Sequence, residues 1–484
     1  MQQNKDGVQN LFSQFGRFNL LLLLSITLLN ASSFEDFKRV QSESFSNYKD
    51  ERDNAFNNYL KAQWKEYKAF ITPPMYKKPK PKSITPLKET KAPDVGPLVQ
   101  IKVPKVPIKE QPEIPKKELH KKDVNFDFFG SSVGFNVDKN IKKAKFYPEN
   151  QAGISHVFTL LASSDYMQTL EEIQKCKKEL QLNDWALYLL VKKLSHQVYS
   201  DNNEAKIYTW FLLNKLGYNV KIALSESKNV FLLHYSKDII YATPRYKFNS
   251  KYYYIISRYN KKAIEQIYTY AQDYPDATKT LDFSMSKLPL LRENSVARKV
   301  TFQDYGKVYS ASYSYNKNII DFMNSYPQVD YKVYFNAPME LATYKALAQD
   351  IKKYTDGKKM SEAMNIVLRF VQKAFKYERD DDQFGYEKVM FAEETLVYRA
   401  SDCEDRAVLF AYLVKQLFGV RVVGVKYSDH MSTALYIPLK GDSVRVGSRR
   451  YVMADPTYIN ANIGQEIPKY RNIQPESFIK LNYN

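Results

Sequence analysis

Cysteine is almost missing from this chain: Cys176 and Cys403 are the only two in 484 residues. Two thiols so far apart cannot build the disulfide framework of a small secreted domain. No C-x-x-C or H-x-x-x-H spacing accompanies them, which argues against a structural zinc site, and neither a metal nor any other cofactor is expected. Histidine is scarce as well, with His120, His156, His196, His234 and His430 making up the set of five. Acidic residues are outnumbered, 53 against 72 basic ones, for a net charge of +19. That excess favours anionic partners such as charged glycans, membrane surfaces or nucleic acid.

Long apolar runs are missing too, apart from one. Lys5 and Arg17 precede FNLLLLLSITLL, Phe18 to Leu29, and small residues follow in NASS. The run is short for a membrane span and has the layout of a secretory signal. Residues 1–31 therefore read as a signal peptide, and the protein as periplasmic or secreted; the alternative is an uncleaved membrane anchor. No cysteine follows the run, which excludes a lipoprotein. Export removes nucleic acid from the expected partners and leaves anionic envelope polymer.

What is present begins with a repeat. SFEDFKRVQSE, SFSNYKDERDN and AFNNYLKAQWK are consecutive eleven-residue units, and EYKAF opens a fourth. Phe34, Phe45, Phe56 and Tyr67 fall in register, as do Phe37, Tyr48, Tyr59 and Phe70. An eleven-residue period keeps both rows on one helical face. Residues 32–71 are thus expected to form one helix of about 55 Å, with an aromatic stripe suited to self-association. Residues 72–123 then hold eleven of the 21 prolines and many lysines. They read as a disordered linker, able also to contact anionic envelope polymer.

The globular remainder is α+β. Residues 124–290 carry helical stretches such as LEEIQKCKKEL followed by apolar strands, 291–337 alternate as a β-rich connector, and 338–484 repeat the helix-then-strand order.

The chemistry sits in RASDCEDRAVLFAYLVKQLFG, residues 399–419. Ser401 or Asp402 can cap a helix, Ser401-x-x-Glu404 has the form of a capping box, and Gly419 is a natural stop. Cys403 then lies in the first turn, where the helix dipole favours a thiolate. Asp402, Glu404 and Asp405 oppose that, so activation needs a cationic partner. His430 follows in SDHMSTALY at the start of a strand, and Asp455 in YVMADPTYI at the end of the next. Thiol nucleophile, imidazole base and orienting carboxylate are the parts of a cysteine triad.

SDCEDRAVLFAYLVKQLFG, SDH before a strand and ADPTYI together resemble the transglutaminase-like superfamily, a papain-related fold, over roughly residues 340–470. The resemblance implies a Cys-bearing helix packed on an antiparallel sheet, with Cys403, His430 and Asp455 as catalytic residues. Asp402 stands where the family often has glycine, and MSTALY replaces a frequent aromatic-x-acidic segment. YSDNNEAKIYTWFLLNKLGYNVKIAL, 199–224, echoes the cysteine segment with Asn202 in the place of Cys403. Residues 124–290 therefore read as a second, non-catalytic copy. The expected function is an exported cysteine protease or amidase acting on an envelope protein or peptide. The alternatives are a non-catalytic envelope scaffold or glycan-binding protein, and a protein-glutamine acyltransferase.

Overall fold

Runs of β-branched and aromatic residues fall into short antiparallel strands in the computed structural model, which describes residues 34–62, 64–104, 122–256 and 266–483. The chain divides into two compact units, 1–58 and 59–484. The described part of the first unit is helical, belonging to a helix that runs from Phe34 to Ala62. The remainder is mixed α+β with antiparallel sheets, and no helix among the described residues is long and apolar enough to cross a membrane. The apolar run at 18–29 lies outside the described residues.

The strands of the first half are β1 (Lys65–Lys68), β2 (Phe70–Ile71), β3 (Val124–Phe128), β4 (Ser131–Phe135), β5 (Val220–Leu224), β6 (Val230–Tyr235), β7 (Pro244–Phe248), β8 (Lys251–Tyr254) and β9 (Gln266–Thr269). A long hairpin, β10 (Ser295–Asp304) with β11 (Lys307–Asn316), follows. Next come β12 (Lys376–Tyr377), β13 (Ala400–Ser401), β14 (Val422–Lys426), β15 (Met431–Leu435), β16 (Ser443–Val446), β17 (Arg449–Ala454) and β18 (Ser477–Lys480).

The first large sheet has the order β1-β9-β5-β6-β8-β7-β2. Its two outer members are separated in sequence only by Ala69, so one stretch pairs with β9 through Lys65–Lys68 and with β7 through Phe70–Ile71. That stretch closes the sheet on itself and leaves no open edge there. Leu233, Phe248, Tyr253 and Ile267 fill the interior, with Tyr67 against Phe248 at 4.7 Å between ring centres. The expected helix over 32–71 is corrected accordingly: it stops at Ala62, and the fourth repeat unit is a stave of this barrel. The aromatic spacing suits a helix, but the unpaired edges of β7 and β9 outbid it with interstrand hydrogen bonds.

The second sheet, β16-β17-β15-β14-β18, has the same plan. Numbered within each half, the five strands β5–β9 and the five strands β14–β18 both run 5-1-2-4-3, all antiparallel, and each set follows a buried helix, Asn202–Lys215 or Cys403–Phe418. The hairpins match as well: Ser225 N–H donates to Asn229 in one, and Tyr427 N–H to His430 in the other.

Residues 72–104 are not the disordered linker expected for 72–123. They run as an extended strap along the globular unit. Thr72 Oγ1 donates to the carbonyls of Ile240 and Thr243 at 2.6 and 2.9 Å. At the other end Val99 N–H donates to Lys358, and Ile101 N–H to Asp356. Met75, Tyr76, Lys80, Val99 and Ile101 are buried. Proline has no N–H to satisfy, so such a segment can be laid down at little polar cost. Residues 105–121 lie outside the described residues.

The Cys403 helix is pinned at its base by Arg406. This buried guanidinium donates to Ser401 Oγ and to the carbonyls of Gln372 and Phe375 at 3.1, 3.3 and 2.7 Å. Arg406→Met, which strands those acceptors, is expected to cost about 3 kcal/mol, read as a lower urea midpoint with unchanged m-value; an unaltered midpoint would show that the helix is held elsewhere.

Candidate active site

Asp402 is the N-cap of the Cys403–Phe418 helix, and its N–H is accepted by Asp405 Oδ2 at 3.2 Å. The capping box is thus Asp402-x-x-Asp405, one residue later than the Ser401–Glu404 pairing read from sequence. Cys403 is the first helical residue, and Gly419, with φ of 65°, closes the far end. The helix packs on β14 and β15. His430 immediately precedes β15, and Asp455 immediately follows β17, its neighbour in the sheet.

The structure brings His430 and Asp455 together: Nε2 lies 2.7 Å from Oδ2. A carboxylate can only accept, so Nε2 carries the proton and Nδ1 keeps the basic lone pair. Nδ1 is buried and has no hydrogen-bond partner among the described residues. Asp455 is fixed in turn, its Oδ1 accepting from the N–H of Thr457 and Tyr458 at 2.8 and 3.2 Å. Tyr470 lies flat on the imidazole, 4.9 Å between ring centres, and Tyr427 stacks on Tyr470 at 4.7 Å.

The sulfur itself is engaged elsewhere. Cys403 Sγ donates to Glu404 Oε2 at 3.2 Å, and Tyr76 of the strap caps it, with its hydroxyl 3.8 Å from the sulfur and 3.1 Å from Glu404. Cys403, His430 and Asp455 are all 0% exposed. Burial first, then Glu404 and Asp402, push the thiol well above its usual range, and Lys80 only partly offsets them. Burial and the carboxylates together keep the thiol protonated in this arrangement.

Sequence reasoning offered His430 as the cationic partner; the cation in contact with the acids beside Cys403 is Lys80. Its Nζ lies 3.0 Å from Asp380, 2.5 Å from Glu387, 2.5 Å from Asp402 and 2.7 Å from Glu404. Burial alone would raise every one of these acids. Lys80 nevertheless holds Glu404 down at about 2. Burial, then the charge of Glu404, lifts Glu387 to about 8, and burial lifts Asp380 to about 6. Oxygens of Asp380, Glu387 and Glu404 lie within 4.8 Å of one another, a spacing that also suits a divalent cation, and the ammonium sits among them.

No family model, no curated protein and no solved structure matches the chain. The site is therefore read from its own geometry. In the first sheet the matching positions carry other residues: Asn202 opens the helix and Asn229 precedes β6. His234 lies four residues into β6 from Val230, where burial pushes it down to about 3.

Sequence reasoning missed Tyr76, Lys80 and Tyr470. Tyr76 is the only Phe, Trp or Tyr between positions 72 and 122, a usable signal. Nothing local distinguishes Lys80 from the other lysines around it.

Glu466 makes the site pH-sensitive. Burial, followed by the charges of Asp455 and Asp442, lifts it to about 9. The folded state then holds a proton that the unfolded chain releases above about 4.5, so stability falls as pH rises from there towards 9. Glu466→Gln is expected to reduce the loss of unfolding free energy between pH 5 and pH 8 by on the order of 4 kcal/mol. Urea titrations at the two pH values check this, and an unchanged difference would place an ionised Glu466 in the folded protein.

Proposed function

We propose that the protein is a transglutaminase-like cysteine hydrolase, a protease or amidase cleaving an amide bond in an envelope protein or peptide. The observation that carries this is the His430–Asp455 pair at 2.7 Å with a buried, uncommitted Nδ1, beside a helix whose first residue is Cys403. In this reading, residues 338–484 are the papain-like catalytic domain. Residues 124–290 are a copy that keeps the 5-1-2-4-3 strand order without thiol or imidazole at the matching places.

The chemistry follows from the parts. Released from Glu404, the Cys403 thiol passes its proton to His430 Nδ1, and Sγ attacks the carbonyl carbon. Asp455 stabilises the imidazolium through Nε2. Nδ1 returns the proton to the departing amine as the C–N bond breaks, leaving a thioester. Water, deprotonated by the same Nδ1, cleaves the thioester and restores the thiol.

A second reading, a non-catalytic envelope scaffold, is favoured by one observation: the sulfur is buried and hydrogen-bonded to a carboxylate. Ile84 and Leu87 of the strap pack on the cluster containing Tyr458, Ile467 and Tyr470. In a chain carrying Ile84→Asp and Leu87→Asp, iodoacetamide labelling of Cys403 near neutral pH is expected to slow roughly 100-fold on His430→Ala. Equal, slow labelling with and without His430 would overturn the hydrolase and leave the scaffold. Incorporation of a labelled amine into a glutamine-bearing protein in excess of hydrolysis would make the enzyme an acyltransferase instead.

A further inference from the structure

The strap does more than cross the surface near the site. Lys77 and Lys78 N–H both donate to the carbonyl of Ser428, two residues before His430, at 3.1 Å. Tyr377 Oη donates to the Pro81 carbonyl at 2.7 Å, from the strand next to the one that leads into Cys403. Leu87 N–H donates to Ile459, four residues beyond Asp455. An extended backbone is thus gripped from the histidine, cysteine and aspartate segments in turn, as a substrate chain in a cleft would be. Two side chains point inward along it, Tyr76, just before the first of these grips, over the sulfur and Lys80, between the first two, into the carboxylates.

The carboxylate cluster has more acceptor capacity than Lys80 uses. Asp380 is 1% exposed, and its Oδ1 has no hydrogen-bond partner among the described residues. Without a cation in this place, Glu404 would be an uncompensated buried charge on a helix that cannot turn it to water. Whatever displaces the strap must bring its own positive charge.

Resting on the hydrolase reading, we propose that residues 73–91 occupy the enzyme's own substrate cleft. The substrate that displaces them is an extended polypeptide whose lysine side chain takes the place of Lys80 among Asp380, Glu387, Asp402 and Glu404. The strap keeps the thiol silent until such a chain arrives, and the carboxylates select for an ammonium group at the bound position. A neutral chain leaves the cluster unpaired and is rejected.

Two measurements on the full chain test this. Hydrogen exchange of the native protein is expected to show amides 75–91 opening at least about tenfold faster than those of β14–β17. Exchange at the same rate would make the strap an integral part of the core and overturn the proposal. Second, synthetic PPMYKKPKPKSITPLKETK, residues 73–91, is added to the Ile84→Asp, Leu87→Asp chain carrying Cys403→Ala to prevent turnover. It is expected to bind at least about tenfold more tightly than the same peptide with glutamine at position 80. Equal affinity, or no binding of either, overturns the pocket, as does loss of cooperative unfolding in the strap variant. The two readings fail separately. Lysine-selective binding with an unreactive Cys403 refutes the hydrolase and keeps the pocket; a His430-dependent, reactive Cys403 without lysine preference does the reverse.

Discussion

The ammonium of Lys80 among Asp380, Glu387, Asp402 and Glu404 is the interaction on which the site depends. Carboxylates removed from water are costly unless paired, and here they crowd the first turn of the helix that carries the only cysteine of the second half. The pairing lets that helix be buried with its acids in place. It also ties residue 80 to residues 380–404, so a proline-rich segment that has no fold of its own becomes ordered. Tyr76, four residues before Lys80, lies over the sulfur, and the Ser428 carbonyl holds the backbone between them. Burial, charge and access at Cys403 are in this way one linked property.

The two sheets illustrate a separate constraint. Both place a buried helix against five antiparallel strands in the order 5-1-2-4-3, and both close the first hairpin with a backbone hydrogen bond, across a loop one residue shorter in the second sheet. The first sheet is completed by residues 65–71, which bridge its outer strands. A sheet edge is a row of unpaired donors and acceptors, and a neighbouring stretch of chain is the nearest remedy. In the second sheet His430 and Asp455 lie at the start of β15 and the end of β17, where side chains are freed from the ladder but held by it, and Cys403 opens the helix packed on that sheet.

Much of this arrangement is legible in the sequence. The apolar spacing of Ala407, Phe410, Ala411 and Val414 ahead of Gly419 marks the buried helix and its stop. The apolar runs around Val422–Lys426 and Met431–Leu435 mark the hairpin, and Asp-Pro-Thr marks the turn after β17. The echo of Ser200-Asp201 in Ser401-Asp402 is legible too, and each Asp caps its helix. The helix proposed through Phe70 was misjudged because an eleven-residue period says which face is aromatic, not whether a sheet edge nearby offers better hydrogen bonding. The strap was misjudged because proline and lysine content describes a chain in solvent and is silent about a receiving groove.

The sequence by itself determined which side chains could react and on which elements they ride, because helix capping, strand patterning and turn chemistry are settled over a few residues. Only the tertiary structure decided the state of the thiol. Burial protonates it, and the side chains that cap it and balance its acidic neighbours, Tyr76 and Lys80, come from more than three hundred positions away in the chain. No local rule can encode so distant a pairing, since it is fixed by the shape of a cleft and by the free energy of leaving charge unpaired inside it.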